Sequence, residues 1–100
     1  MYDMARIGNL KTMAAAAPEA MAAFHAFDAA AFKEGALSVK VKELMALAVA
    51  VTTQCPYCIE IHTKKARTAG ANDAEITEAV LVSAAIRAGG SVVHGTHAIK

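Results

Sequence analysis

From residue 18 onward the apolar positions recur at three- and four-residue spacing, and no stretch alternates apolar and polar residues between turn signals. Pro18, Gly35, Pro56, Gly70 and the pair Gly89-Gly90 punctuate the pattern. Pro18 with Glu19 opens a helix to about residue 33, carrying Phe24 and Phe27 on one face and Phe32 more than a turn beyond. Ser38 N-caps a second helix, about 39–53. Residues 44–53 hold no charge, which predicts a helix buried nearly all round. Pro56 opens a third, about 56–69, with Gly70 just past its end. Asn72 and Glu75 form a capping box for a fourth, about 73–88, which Gly89-Gly90 breaks before a last short helix or turn. The expected fold is a compact all-α bundle of about five helices, a single domain over 1–100.

Composition adds a question of assembly. Apolar residues make up 56% of the 100 residues, with alanine the main cause. Alanine favours helix and lets helices approach closely. Such a surplus in a short chain points to apolar surface buried between subunits, hence a homo-oligomer. Net charge is +1, so no basic footprint for nucleic acid is present. The start, MYDMARIGNLKTM, lacks the apolar core of a secretory signal. The run LMALAVAVTT at 44–53 is too short to cross a bilayer. These features predict a cytoplasmic protein without a membrane partner. In that compartment a cysteine pair points to catalysis or metal binding before a structural disulfide.

Both cysteines lie in QCPYCIEIHTKK, residues 54–65. With Pro56 at the first helical position, Cys55 becomes the N-cap and Cys58 sits in the first turn, where the helix end favours thiolate. The two are close enough to join as a disulfide. Cys58 and His62 are four apart and share a face, so the imidazole can exchange the thiol proton directly or through a water. Glu60, Lys64 and Arg67 form a solvated stripe on the other side. Upstream, Glu43 shares a stripe with Leu47 and Ala50 and points to the apolar side. A buried carboxylate needs a partner, and orienting His62 is one such role. Helix-end electrostatics favour Cys55 as the thiolate; the nearness of His62 favours Cys58.

Glu43, eleven residues, Cys55, two residues, Cys58, three residues, His62 resembles the core motif of the AhpD-like alkylhydroperoxidase domain, within the carboxymuconolactone decarboxylase family. KVKELMALAVAV before the cysteines and AGANDAEITEAV after them are also similar to that family. The resemblance implies a helical homo-oligomer, trimer or hexamer. It implies that Cys58 attacks a peroxide, that Cys55 resolves the sulfenic acid as a disulfide, and that Glu43 and His62 relay protons. The implied partners are a peroxide substrate and an external dithiol reductant, with no cofactor and no metal. One position departs. The best-studied peroxidase branch has a histidine immediately before the second cysteine; here Tyr57 stands, a pocket wall that does not relay protons near neutral pH. The decarboxylase branch lacks the cysteine pair.

Three other readings stay open. Cys55, Cys58 and His62 offer three zinc ligands, with Glu43 or another subunit as the fourth. The chain can also be a structural oligomer that keeps the motif, or an enzyme using the same base on a lactone or carbon acid. His25 reads as partly buried packing, and Met21 and Met45 as core or interface filler. His94 and His97 are candidates for lining the thiol pocket or an interface.

Overall fold

The computed structural model describes residues 2–100. A 3-10 segment, Met4–Asn9, leads into five α-helices: α1 (Leu10–Ala16), α2 (Pro18–Phe32), α3 (Val39–Thr53), α4 (Pro56–Thr68) and α5 (Asp73–Gly95). A short 3-10 turn, Thr96–Ala98, follows, and no strand occurs among the described residues. The architecture is all-helical, as the periodicity predicts.

The caps form at the predicted places. The Val41 N–H donates to Ser38 Oγ at 3.2 Å. Asn72 and Glu75 exchange reciprocal bonds of 2.9 and 3.1 Å, closing the capping box. Gly70 ends α4 with φ 101°, a left-handed conformation that glycine adopts at no steric cost. At the end of α3 the left-handed residue is Gln54, φ 58°. Its turn, together with the 3.1 Å bond from the Cys55 N–H to the Ala50 carbonyl, reverses the chain within two residues. That reversal lays α4 against α3, the most extensive helix pairing in the molecule, with α3 on α5 next. Lys40 and Glu75, 2.7 Å apart, tie the starts of α3 and α5.

The core lies between these three helices and is small. Leu47, Ala50, Ala66 and Ala71 are its buried apolar residues, and Glu43 is buried with them. The radius of gyration is 16.7 Å, against about 13 Å for a 100-residue globule, because α2 and the far half of α5 extend from the three-helix core.

Two expectations are corrected here. α3 is not buried all round: Met45 and Val49 are exposed, Val49 by 60%. Its uncharged segment predicts burial, but within the chain α4 and α5 cover only part of its surface. Gly89-Gly90 does not break α5, which continues to Gly95. A glycine costs roughly 1 kcal/mol in a helix interior, too little to end a helix whose pattern resumes in Ser91-Val92-Val93. The helical stretch Asp73–Ala98, α5 with its 3-10 turn, is consequently long and apolar enough to cross a bilayer by length and composition, and its most apolar part is not buried in the chain.

Candidate active site

α3 supplies the acid. The stripe Glu43, Leu47, Ala50 faces inward, which leaves the carboxylate 3% exposed. Removing a carboxylate from water is costly unless it is paired. The partner is His62 of α4, whose Nδ1 lies 2.6 Å from Glu43 Oε2. With neutral imidazole, Nδ1–H donates to the carboxylate and Nε2 keeps its lone pair for a proton. Phe32, the last residue of α2, lies flat on the imidazole: the ring centres are 5.1 Å apart and the planes 15° apart. The ring is thus held along one edge by an acid and across one face by an aromatic.

α4 supplies the sulfurs. Cys55 is its N-cap, and the Cys58 N–H donates to Cys55 Sγ at 3.3 Å. The two Sγ atoms are 2.6 Å apart as free thiols. The hydrogen bond from the Cys58 thiol, joined by the backbone N–H groups of Cys58 and Tyr57, pulls the Cys55 thiol below its ordinary pKa against the opposing effect of burial. The same hydrogen bond between the sulfurs, then burial and the negative charge of Cys55, push Cys58 up. Cys55 is therefore the more acidic thiol of the pair, as helix-end electrostatics favours, and Cys58 the less acidic. Among the described residues no hydrogen bond joins Cys58 to His62: Cys58 bonds to Cys55 and His62 to Glu43.

Both sulfurs open onto a cavity of about 370 Å³. Tyr57 and Ile61 line it beside them, and Tyr2 meets Tyr57 edge to face at 5.5 Å between ring centres. The opposite wall comes from the 3-10 segment and α1, through Ile7, Leu10 and Met13. Sequence reasoning missed this wall. The three-residue spacing of Ile7, Leu10 and Met13 is a helical signal that marks it. It also missed the stacking of Phe32, which only the packing of α2 reveals.

Glu60 and Lys64 pair at 3.2 Å on the solvated side, as the pattern predicts. His25 is exposed beside Phe24, a correction to its reading as packing, because nothing covers that part of α2 within the chain. His94 and His97 lie together at the end of α5, ring centres 6.1 Å apart, and neither lines the thiol cavity. No three His, Cys, Asp or Glu side chains among the described residues come together as a ligand set.

Residues 18–100 match the carboxymuconolactone decarboxylase family, which includes the AhpD-like proteins. The chain belongs to that family. A crystal structure of a protein from Methanobacterium thermoautotrophicum superposes with a TM-score of 0.82 at 31% identity, covering 88% of this chain and 99% of that one. An uncharacterized protein encoded in the cox locus of Paracoccus denitrificans is 47% identical over 77 residues, 77% of this chain and 69% of its own. An uncharacterized protein of Cupriavidus necator is 32% identical over 84% of this chain and 74% of its own. The family match begins at Pro18, so Ile7, Leu10 and Met13 of the cavity wall stand outside it.

Proposed function

We propose that this protein is a thiol-dependent peroxidase or disulfide reductase in which Cys55 and Cys58 cycle between dithiol and disulfide. The observation that carries the reading is the 2.6 Å sulfur pair at the start of α4, beside a buried acid–imidazole pair. Cys58 gives its proton to His62 through a water and attacks the terminal peroxide oxygen. The S–O bond forms, the O–O bond breaks, and the leaving alkoxide or hydroxide takes a proton from His62. The sulfenic acid on Cys58 is then attacked by the Cys55 thiolate, releasing water with one further proton and closing the disulfide. An external dithiol reduces it by thiol–disulfide exchange and is itself oxidised. Glu43 holds His62 in the tautomer that accepts at Nε2. The lowered pKa of Cys55 suits both resolution of the sulfenic acid and attack on an external disulfide.

The working unit is a cytoplasmic homo-oligomer, a trimer or hexamer as in the family resemblance. The small core and the exposed Val41, Met45 and Val49 of α3, with Val82 and Ile86 of α5, support assembly. Thiol titration before and after one equivalent of peroxide, with metal content measured on the same sample, tests the reading. Loss of two thiols per metal-free chain is the expected result. One bound zinc per chain with unreactive thiols would overturn it.

A further inference from the structure

The cavity beside the sulfurs is too large for the smallest peroxide. A water molecule occupies about 30 Å³ of liquid, so hydrogen peroxide would leave most of the 370 Å³ filled with water against apolar side chains. Its size falls instead in the range of sites for small organic ligands, about 300–1,000 Å³. Ile7, Leu10, Met13 and Ile61 give it an apolar lining. One charged residue lines it as well. Arg6 stands exposed at the rim, and no ion pair engages its guanidinium among the described residues. A guanidinium fork matches a carboxylate with two parallel hydrogen bonds.

We propose that this cavity binds an apolar chain bearing a carboxylate, so that the substrates are carboxylate-bearing organic hydroperoxides, with Arg6 selecting the anionic end. The inference rests on the peroxidase reading for the chemistry and adds the substrate class. The carboxylate pairs with Arg6, the hydrocarbon lies against Leu10 and Met13, and the hydroperoxide reaches the sulfurs. Cys58 sulfur takes the terminal oxygen and is oxidised to sulfenic acid. The O–O bond breaks, and the alkoxide takes a proton to leave as a hydroxy acid. Arg6, Ile7, Leu10 and Met13 all precede the family match, so this preference belongs to the segment before α2 and not to the shared core.

Two measurements test it on the assembled protein, wild type and Arg6→Gln. The first is the ratio of kcat/KM for a long-chain fatty-acid hydroperoxide to that for its methyl ester. A charge-assisted pair predicts a ratio of about ten or more in the wild type, falling toward one in the variant. An equal loss for acid and ester, or an unchanged ratio, overturns the role of Arg6. The second needs no peroxide: protection of the thiols from iodoacetamide by octanoate against octanamide. Octanoate is expected to protect at about tenfold lower concentration, and Arg6→Gln to erase the difference. If no peroxide is consumed, the hydroperoxide falls together with the peroxidase reading, while selective protection by octanoate still upholds the carboxylate site. If peroxides are consumed but octanoate and octanamide protect alike, the carboxylate site falls and the peroxidase reading stands.

Discussion

Glu43 and Ile86 occupy neighbouring helices and have exchanged the usual places of their residue types. The carboxylate is 3% exposed between α3 and α4, and the isoleucine is 71% exposed on α5. Around Glu43 every polar group has a partner: among the described residues no buried side-chain nitrogen or oxygen lacks one. Around Ile86, by contrast, Val82, Val92 and Val93 also stand in the open. Exposed apolar surface of this extent marks a face that something covers. The difference separates two tasks. The Glu43–His62 pair is made within one chain, across α3 and α4. On the oligomer reading proposed above, a second copy of the chain covers the outer helices.

The largest expected effects come from breaking the first region. Cys58→Ser is expected to abolish peroxide consumption. Cys55→Ser leaves a sulfenic acid on Cys58 that a dimedone-type probe labels, with helicity and assembly unchanged in both. Labelling of Cys55 in the Cys58→Ser variant would reverse the two roles. Glu43→Gln comes next. The amide is nearly isosteric but does not hold the imidazole proton as a carboxylate does, and kcat/KM for peroxide should fall about 10²-fold with the circular dichroism spectrum intact. Unchanged kinetics would reduce Glu43 to a structural acid.

Breaking the second region should leave the site chemistry alone and remove its support. Ile86→Asp is expected to yield a species near 10.4 kDa in sedimentation, with a cooperative loss of helix at lower temperature than the wild type. If the far half of α5 faces water in the working protein, the same change should stay within about 0.5 kcal/mol and leave the mass as it was.

Two smaller effects sharpen the description of the site. Because the hydrogen bond from Cys58 is the main cause that lowers Cys55, Cys58→Ala should move the pH midpoint of Cys55 alkylation upward, toward that of an ordinary thiol. In the wild type one thiol per chain should react first as pH rises, and peptide mapping should place it at Cys55. Phe32→Leu removes the stack on His62. Such contacts are worth about 0.5–1.5 kcal/mol, which predicts a two- to tenfold loss of activity without loss of assembly.

What was legible in the sequence follows the same division. Ser38, Cys55, Asn72 and Gly70 act through backbone groups two to four residues away, so their roles appear in a linear reading. The pairing of Glu43 with His62 crosses nineteen positions, yet helical phase on both sides and a two-residue turn between them made it readable. The exposed face of α3 was not. Absence of charge signals burial but cannot say whether the cover comes from the same chain. Gly89-Gly90 misled because a local penalty of about 1 kcal/mol per residue was read as a stop. Phe32 and the segment before α2 reach the site through packing between distant elements, which spacing does not encode. The relative acidity of Cys55 and Cys58 depends on the hydrogen bond between their sulfurs, which no residue pattern contains.

The turn between α3 and α4 has a kinetic meaning. Cys55 is bracketed by a left-handed Gln54 and by Pro56, and a residue before proline is kept out of the helical region by the pyrrolidine ring. Its backbone, at φ −97° and ψ 100°, already has the extended shape that this exclusion demands. Joining and parting the two sulfurs then asks for side-chain rotation and little else, a motion of picoseconds to nanoseconds for accessible groups. A cycle built on this turn has no slow backbone rearrangement inside it. On the proposed peroxidase reading, its pace is set by proton transfer and by the arrival of oxidant and reductant, and trapping either sulfur state is expected to leave the amide exchange rates of α3 and α4 alike.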